Sequence, residues 1–163
     1  MPFGEVYADN LKEAKPILDE FEIPATFFIA TGNLNKKLEF WWDEIERLIL
    51  LQAHLPTRLD LMISDIRFQF EFRREESRTD QPPSKWNVFQ QVEPTERHTL
   101  YRSLHRHLKP LSTHAREHAV QMLCNWAGQG RDGRPSHRIL TEMELNELAL
   151  SPLVDIGAHT VNH

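Results

Sequence analysis

The run IPATFFIATG, residues 23–32, constrains this chain more than any other stretch. It is short, apolar, rich in β-branched and aromatic residues and stopped by Gly32, which suits a strand buried in a parallel sheet. The segment before it reads as a helix over residues 10–22. Asp9 or Asn10 caps that helix, Leu11, Ala14, Ile17, Leu18 and Phe21 recur at helical spacing, and Pro16 is expected to kink it. Helix, short loop and buried strand is the grammar of an α/β fold.

The same grammar returns near the other end. Thr141 followed by Glu144 has the spacing of a capping box, so a helix starts at 141 within LTEMELNELAL, and Pro152 follows its end. LVDIGAH, residues 153–159, then reads as a second buried strand. From Phe40, FWWDEIERLILL reads as an amphipathic helix with Trp41, Ile45, Leu48 and Ile49 on one side. Residues 53–95 show no clean period and are punctuated by Pro56, Pro82, Pro83 and Pro94. A short element is expected near 59–72, followed by a loop containing the charge run RREESRTDQPPSK. Helices are expected near 95–109, with Leu100, Tyr101, Leu104 and Leu108 on one stripe, and near 113–127, opened by Ser112 or Thr113. GQGRDGRP then breaks the chain. Two α/β pieces, 1–50 and 138–163, are thus separated by roughly ninety residues, too many for an ordinary loop, and a mainly helical inserted subdomain over about 51–137 is expected.

Length and charge narrow the function classes. A chain of 163 residues supports one domain with a genuine core. Its formal charge of −5 supplies no overall basic field for nucleic acid or an anionic membrane. The single cysteine, Cys124, has no internal partner for a disulfide. No apolar run reaches membrane-span length, and FGEVYADNLKEAK after the first residues is too polar for a secretory signal, so a cytoplasmic chain is the expectation.

Nine histidines invite metal hypotheses. HAREH, residues 114–118, matches the H-x-x-E-H pattern of one zinc peptidase group. Helical projection puts Ala115, Ala119, Met122, Leu123 and Trp126 on the buried face and His114, Glu117 and His118 at its edge or beyond, which predicts a solvated surface. His105 and His107 sit two apart, pointing to different sides of a helix. His159 and His163 differ, because they follow a strand, at the carboxyl end where open α/β sheets and barrels place ligand sites. Four residues apart, they can share one ion in a helical or turn conformation.

With these residues in view, the chain resembles the NodB-type polysaccharide deacetylases, carbohydrate esterase family four. HTVNH, 159–163, is similar to that family's H-[ST]-x-x-H metal motif, and VDIGA before it to the strand that delivers it. YADN, a helix and EIPATFF, 22–28, resemble the family's first strand-to-helix passage and second strand. TGNL, 31–34, and FWWDEIERLIL, 40–50, resemble the subgroup that carries a helical insertion. The clear likeness covers roughly the first fifty and last thirty residues.

The resemblance implies a partial (β/α) barrel in one deacetylase domain, residues 1–163, truncated at both ends, with the family's later motifs beyond His163. It implies a divalent ion, zinc, held by His159, His163 and Glu5, and an N-acetylated carbohydrate as substrate of the complete enzyme. Two histidines and a carboxylate leave open positions where water and an acetamide oxygen are polarised. Where the family carries an F-D-D-G-Y type motif, this chain reads Phe3-Gly4-Glu5-Val6-Tyr7, which puts glycine at the catalytic-base position and names no catalytic residue within the chain. Little or no activity is expected from it alone. The competing expectation is a non-catalytic assembly piece that self-associates or pairs with a complementing chain through its open sheet edge.

Overall fold

A computed structural model describes residues 2–4, 7–36, 38–73, 86 and 89–161. They fall into two compact units, one drawn from Met1–Phe40 and Asp132–His163, the other from Trp41–Arg131.

The first unit is built on a three-stranded parallel sheet. Strand β1 (Pro2–Gly4) pairs with β2 (Ala25–Ile29), which pairs with β5 (Val154–Ala158), in the order β1-β2-β5. Helix α1 (Lys15–Glu20) leads to β2, and α5 (Glu142–Ala149) leads to β5. Pro16 leaves its mark upstream. Asn10–Ala14 forms a wide π turn in which the Lys15 N–H reaches back to the Asn10 carbonyl. That turn relieves the clash a proline ring makes with the carbonyl four residues earlier. Along β2, Ala25, Phe27 and Ile29 are buried and alternate with half-buried Thr26 and Phe28. The buried set joins Leu11, Leu18, Ile139, Leu140 and Leu148 in this unit's core. At α5 both halves of the capping box are made: Thr141 Oγ1 accepts from the Glu144 N–H at 3.2 Å, and Glu144 Oε2 accepts from the Thr141 N–H at 3.0 Å. Strand β5 is not the buried strand that its apolar run suggests. It ends the sheet order, and Asp155, Ile156 and Ala158 are exposed.

The second unit holds helices α2 (Trp41–Ile49), α3 (Glu96–Leu108) and α4 (Thr113–Ala127) with a hairpin of β3 (Arg58–Ile63) and β4 (Ile66–Glu71). Leu100, Leu104 and Leu108 of α3 meet Ile45, Leu48 and Ile49 of α2 and Ala119, Val120 and Leu123 of α4 in one core. This unit begins at Trp41 rather than near residue 51, because the apolar stripe of α2 belongs to that core. It ends at Arg131 rather than near 137, because the Arg134 N–H and Nε bond Glu39 Oε1 of the first unit at 2.7 and 2.6 Å. The expected short element near 59–72 is the β3–β4 hairpin, antiparallel from Arg58↔Glu71 to Ile63↔Ile66, with Ser64 at φ 54° in its turn. A guanidinium from far along the chain closes α2. Arg97 donates to the carbonyls of Ile49 at 3.0 Å, Gln52 at 2.5 Å and Ala53 at 3.3 Å, where the helix dipole favours a cation. Among the described residues, no helix is long and apolar enough to cross a membrane.

Candidate functional site

Parallel pairing fixes which residues share a row across the first unit's sheet. Gly4, Phe28 and Gly157 stand in one row, and the Phe28 side chain projects to the side opposite that of Phe27. His159 lies two residues past that row with the same parity, just beyond the carboxyl end of β5. This is the edge at which open α/β sheets bind ligands.

The backbone beyond the strands is stitched together at this edge. The His159 N–H donates to the Ile29 carbonyl at 3.0 Å and continues the ladder by one residue. Thr160 then turns the chain with φ 58°, a left-handed conformation that costs a β-branched residue on the order of 1–2 kcal/mol. That turn lets the Gly32 N–H reach the Val161 carbonyl at 2.7 Å, tying the loop after β2 to the loop after β5. Further along the first loop, Asn35 Oδ1 accepts from the Glu142 N–H at 2.9 Å, at the start of α5. Strain held by surrounding hydrogen bonds is a feature of ligand-binding corners.

His159 is half-buried, and its imidazole meets the ring of Phe28 edge-on, with centroids 6.5 Å apart and planes at 70°. An imidazole at a strand end suits a zinc or similar divalent ion. The other two expected ligands, Glu5 and His163, lie outside the described residues. Among the described residues, His159 belongs to no group of three metal-ligating side chains. Gly4, where the resemblance puts the catalytic base, ends β1 in the row of Gly157.

The other histidines stand elsewhere. His114, Glu117 and His118 are exposed on α4, whose buried residues are Ala119, Val120, Leu123 and Cys124. The H-x-x-E-H pattern is therefore a solvated helix face, as helical projection predicts. His105 stacks on Trp41 at 4.9 Å, and burial beside Lys109 lowers its pKa. His107 packs edge-on against Phe68 at 5.1 Å. Burial likewise pushes the Cys124 thiol up, away from reactivity.

Sequence reasoning missed Phe28 as a residue of this corner. The available signal was Gly157 within an apolar strand, which marks a close approach of another group. It also missed the buried clamp in the second unit, where Arg131 donates to both oxygens of Glu44, at 2.9 and 2.6 Å. Comparison with family models, with curated proteins and with solved structures finds no match to this chain.

Proposed function

We propose that this chain carries the metal-holding corner of a hydrolase that removes N-acetyl groups from an amino sugar or polysaccharide, as in the polysaccharide deacetylases it resembles. His159 and His163 are the proposed ligands of a divalent ion, zinc, with Glu5 as the third. The observation that carries this reading is the row Gly4–Phe28–Gly157, which brings the end of β1 to the edge from which His159 emerges. The left-handed Thr160 adds support, because the strained residue falls inside the histidine motif itself.

When bound, such an ion would polarise the attacking water and the acetamide oxygen. The imidazole of His159 would hold its side of the ion against the loop stitched to Ile29 and Gly32. Gly4 has no group to take the water's proton, so acetate release from N-acetylglucosamine oligomers is expected to stay near the uncatalysed rate. Calorimetric zinc titration tests the metal reading. One-to-one binding that disappears in a His159→Ala/His163→Ala variant is expected; no binding, or binding unchanged in the variant, contradicts it.

The exposed β5 favours a second reading, in which the sheet is extended by another polypeptide or a second copy of the chain. β5 ends the sheet order, and Ile156 is 42% exposed. Sedimentation that shows self-association, lost in Ile156→Lys, would support it.

A further inference from the structure

The Phe28 ring occupies room that Gly157 leaves. In its row across the sheet its neighbours are Gly4 and Gly157. The ring leans over Gly157 so closely that a Cβ added there would fall 2.7 Å from Phe28 Cδ1 and 2.8 Å from Cε1. Such a methyl could be accommodated only by turning the ring away, since strands held in ladder register cannot retreat. The same ring meets the His159 imidazole edge-on, with centroids 6.5 Å apart, within the range where aromatic pairs attract.

We propose that Phe28 is a positioning residue for His159, a floor against which the imidazole is oriented, and that Gly157 is glycine because the floor lies across it. The inference rests on the metal reading above only for its consequence, the ion affinity. The orientation itself is a property of the chain. A ligand imidazole held by a packed neighbour loses less freedom on binding, and loss of such outer support costs metal affinity.

The test uses the full chain and its histidine ring resonances, with His159 identified by the signal lost in His159→Gln. Cross-relaxation between the Phe28 and His159 ring protons is expected. Phe28→Leu should move the His159 imidazole resonances while leaving the other described histidines in place, and should weaken zinc binding about tenfold. Phe28→Tyr, which keeps the ring, should restore both. Gly157→Ala should displace the same resonances. Because that substitution can also disturb the sheet, Phe28→Leu/Gly157→Ala serves as its partner: removal of the overlap should return the amide spectrum to native while His159 stays shifted.

An imidazole indifferent to residue 28 would overturn the positioning, whatever zinc does. Wild-type chain that binds no zinc, while its imidazole still follows residue 28, would overturn the metal reading and leave the positioning standing.

Discussion

The Trp41–Arg131 unit and the unit built from the two chain ends differ in what their histidines have around them. In the former, leucines of α3 interlock with α2 and α4, and the histidine pair of α4 points to solvent. In the latter, a narrow parallel sheet ends in a half-buried histidine, a left-handed threonine and a ring laid across a glycine. Both pairs, His114/His118 and His159/His163, have the same four-residue spacing. Spacing therefore says little about chemistry. Placement just past a strand's carboxyl end, against the Phe28 ring, is what distinguishes His159 from the α4 pair.

The largest expected effect sharpens this contrast in stability. Leu104→Ala, in the close-packed core of the second unit, should cost about 4 kcal/mol, whereas Ile156→Ala on exposed β5 should cost under about 1 kcal/mol. Urea unfolding measures the first by tryptophan fluorescence, since Trp41, Trp42, Trp86 and Trp126 all belong to that unit. Amide exchange in the β2–β5 ladder measures the second. Equal losses would break the comparison.

Glu44→Gln comes next. It leaves the Arg131 guanidinium without its carboxylate, and Glu44 is 1% and Arg131 20% exposed. A loss of about 3 kcal/mol, read by the same fluorescence transition, is expected at the lower end of the range for a broken buried pair.

A smaller effect tests the first unit through pH. Arg138, above all, with the Thr141 backbone and hydroxyl, holds the Glu144 carboxyl down at about 2. A depressed carboxyl contributes stability above its unfolded pKa and loses it as pH falls through the folded one. The contribution should therefore fade between roughly pH 4.5 and pH 2. Glu144→Gln should flatten that part of the stability profile of α5. An unchanged profile would remove Glu144 as its source.

The smallest effect concerns the exposed pair. His114→Ala/His118→Ala should change stability by less than about 0.5 kcal/mol and leave zinc binding untouched.

Local signals were legible in the sequence. The capping box at Thr141, the leucine stripe of α3 and the strands in ATFFI and VDIGA all form where their patterns put them. What escaped depends on partners distant along the chain. Arg97 closing α2, Arg134 on Glu39 and Phe28 over Gly157 leave no periodic trace. An apolar run does not reveal whether its strand is central or last in the sheet, which is why β5 reads as buried and is not. The hairpin escaped because its turn, Ser64-Asp65, is not a strong turn pair, although its strands alternate. Of the candidate site, the sequence placed His159 correctly at a strand end, while Glu5 and His163 lie outside the described residues.

On the proposed reading, strand-end placement rather than spacing makes a metal site of His159 and His163. Imidazole nitrogen resonances of the full chain, recorded before and after one equivalent of zinc, test it most directly. The signals of His159 and His163 are expected to move to metal-bound positions while those of His114 and His118 stay. Movement of the α4 pair, or of neither pair, would contradict it.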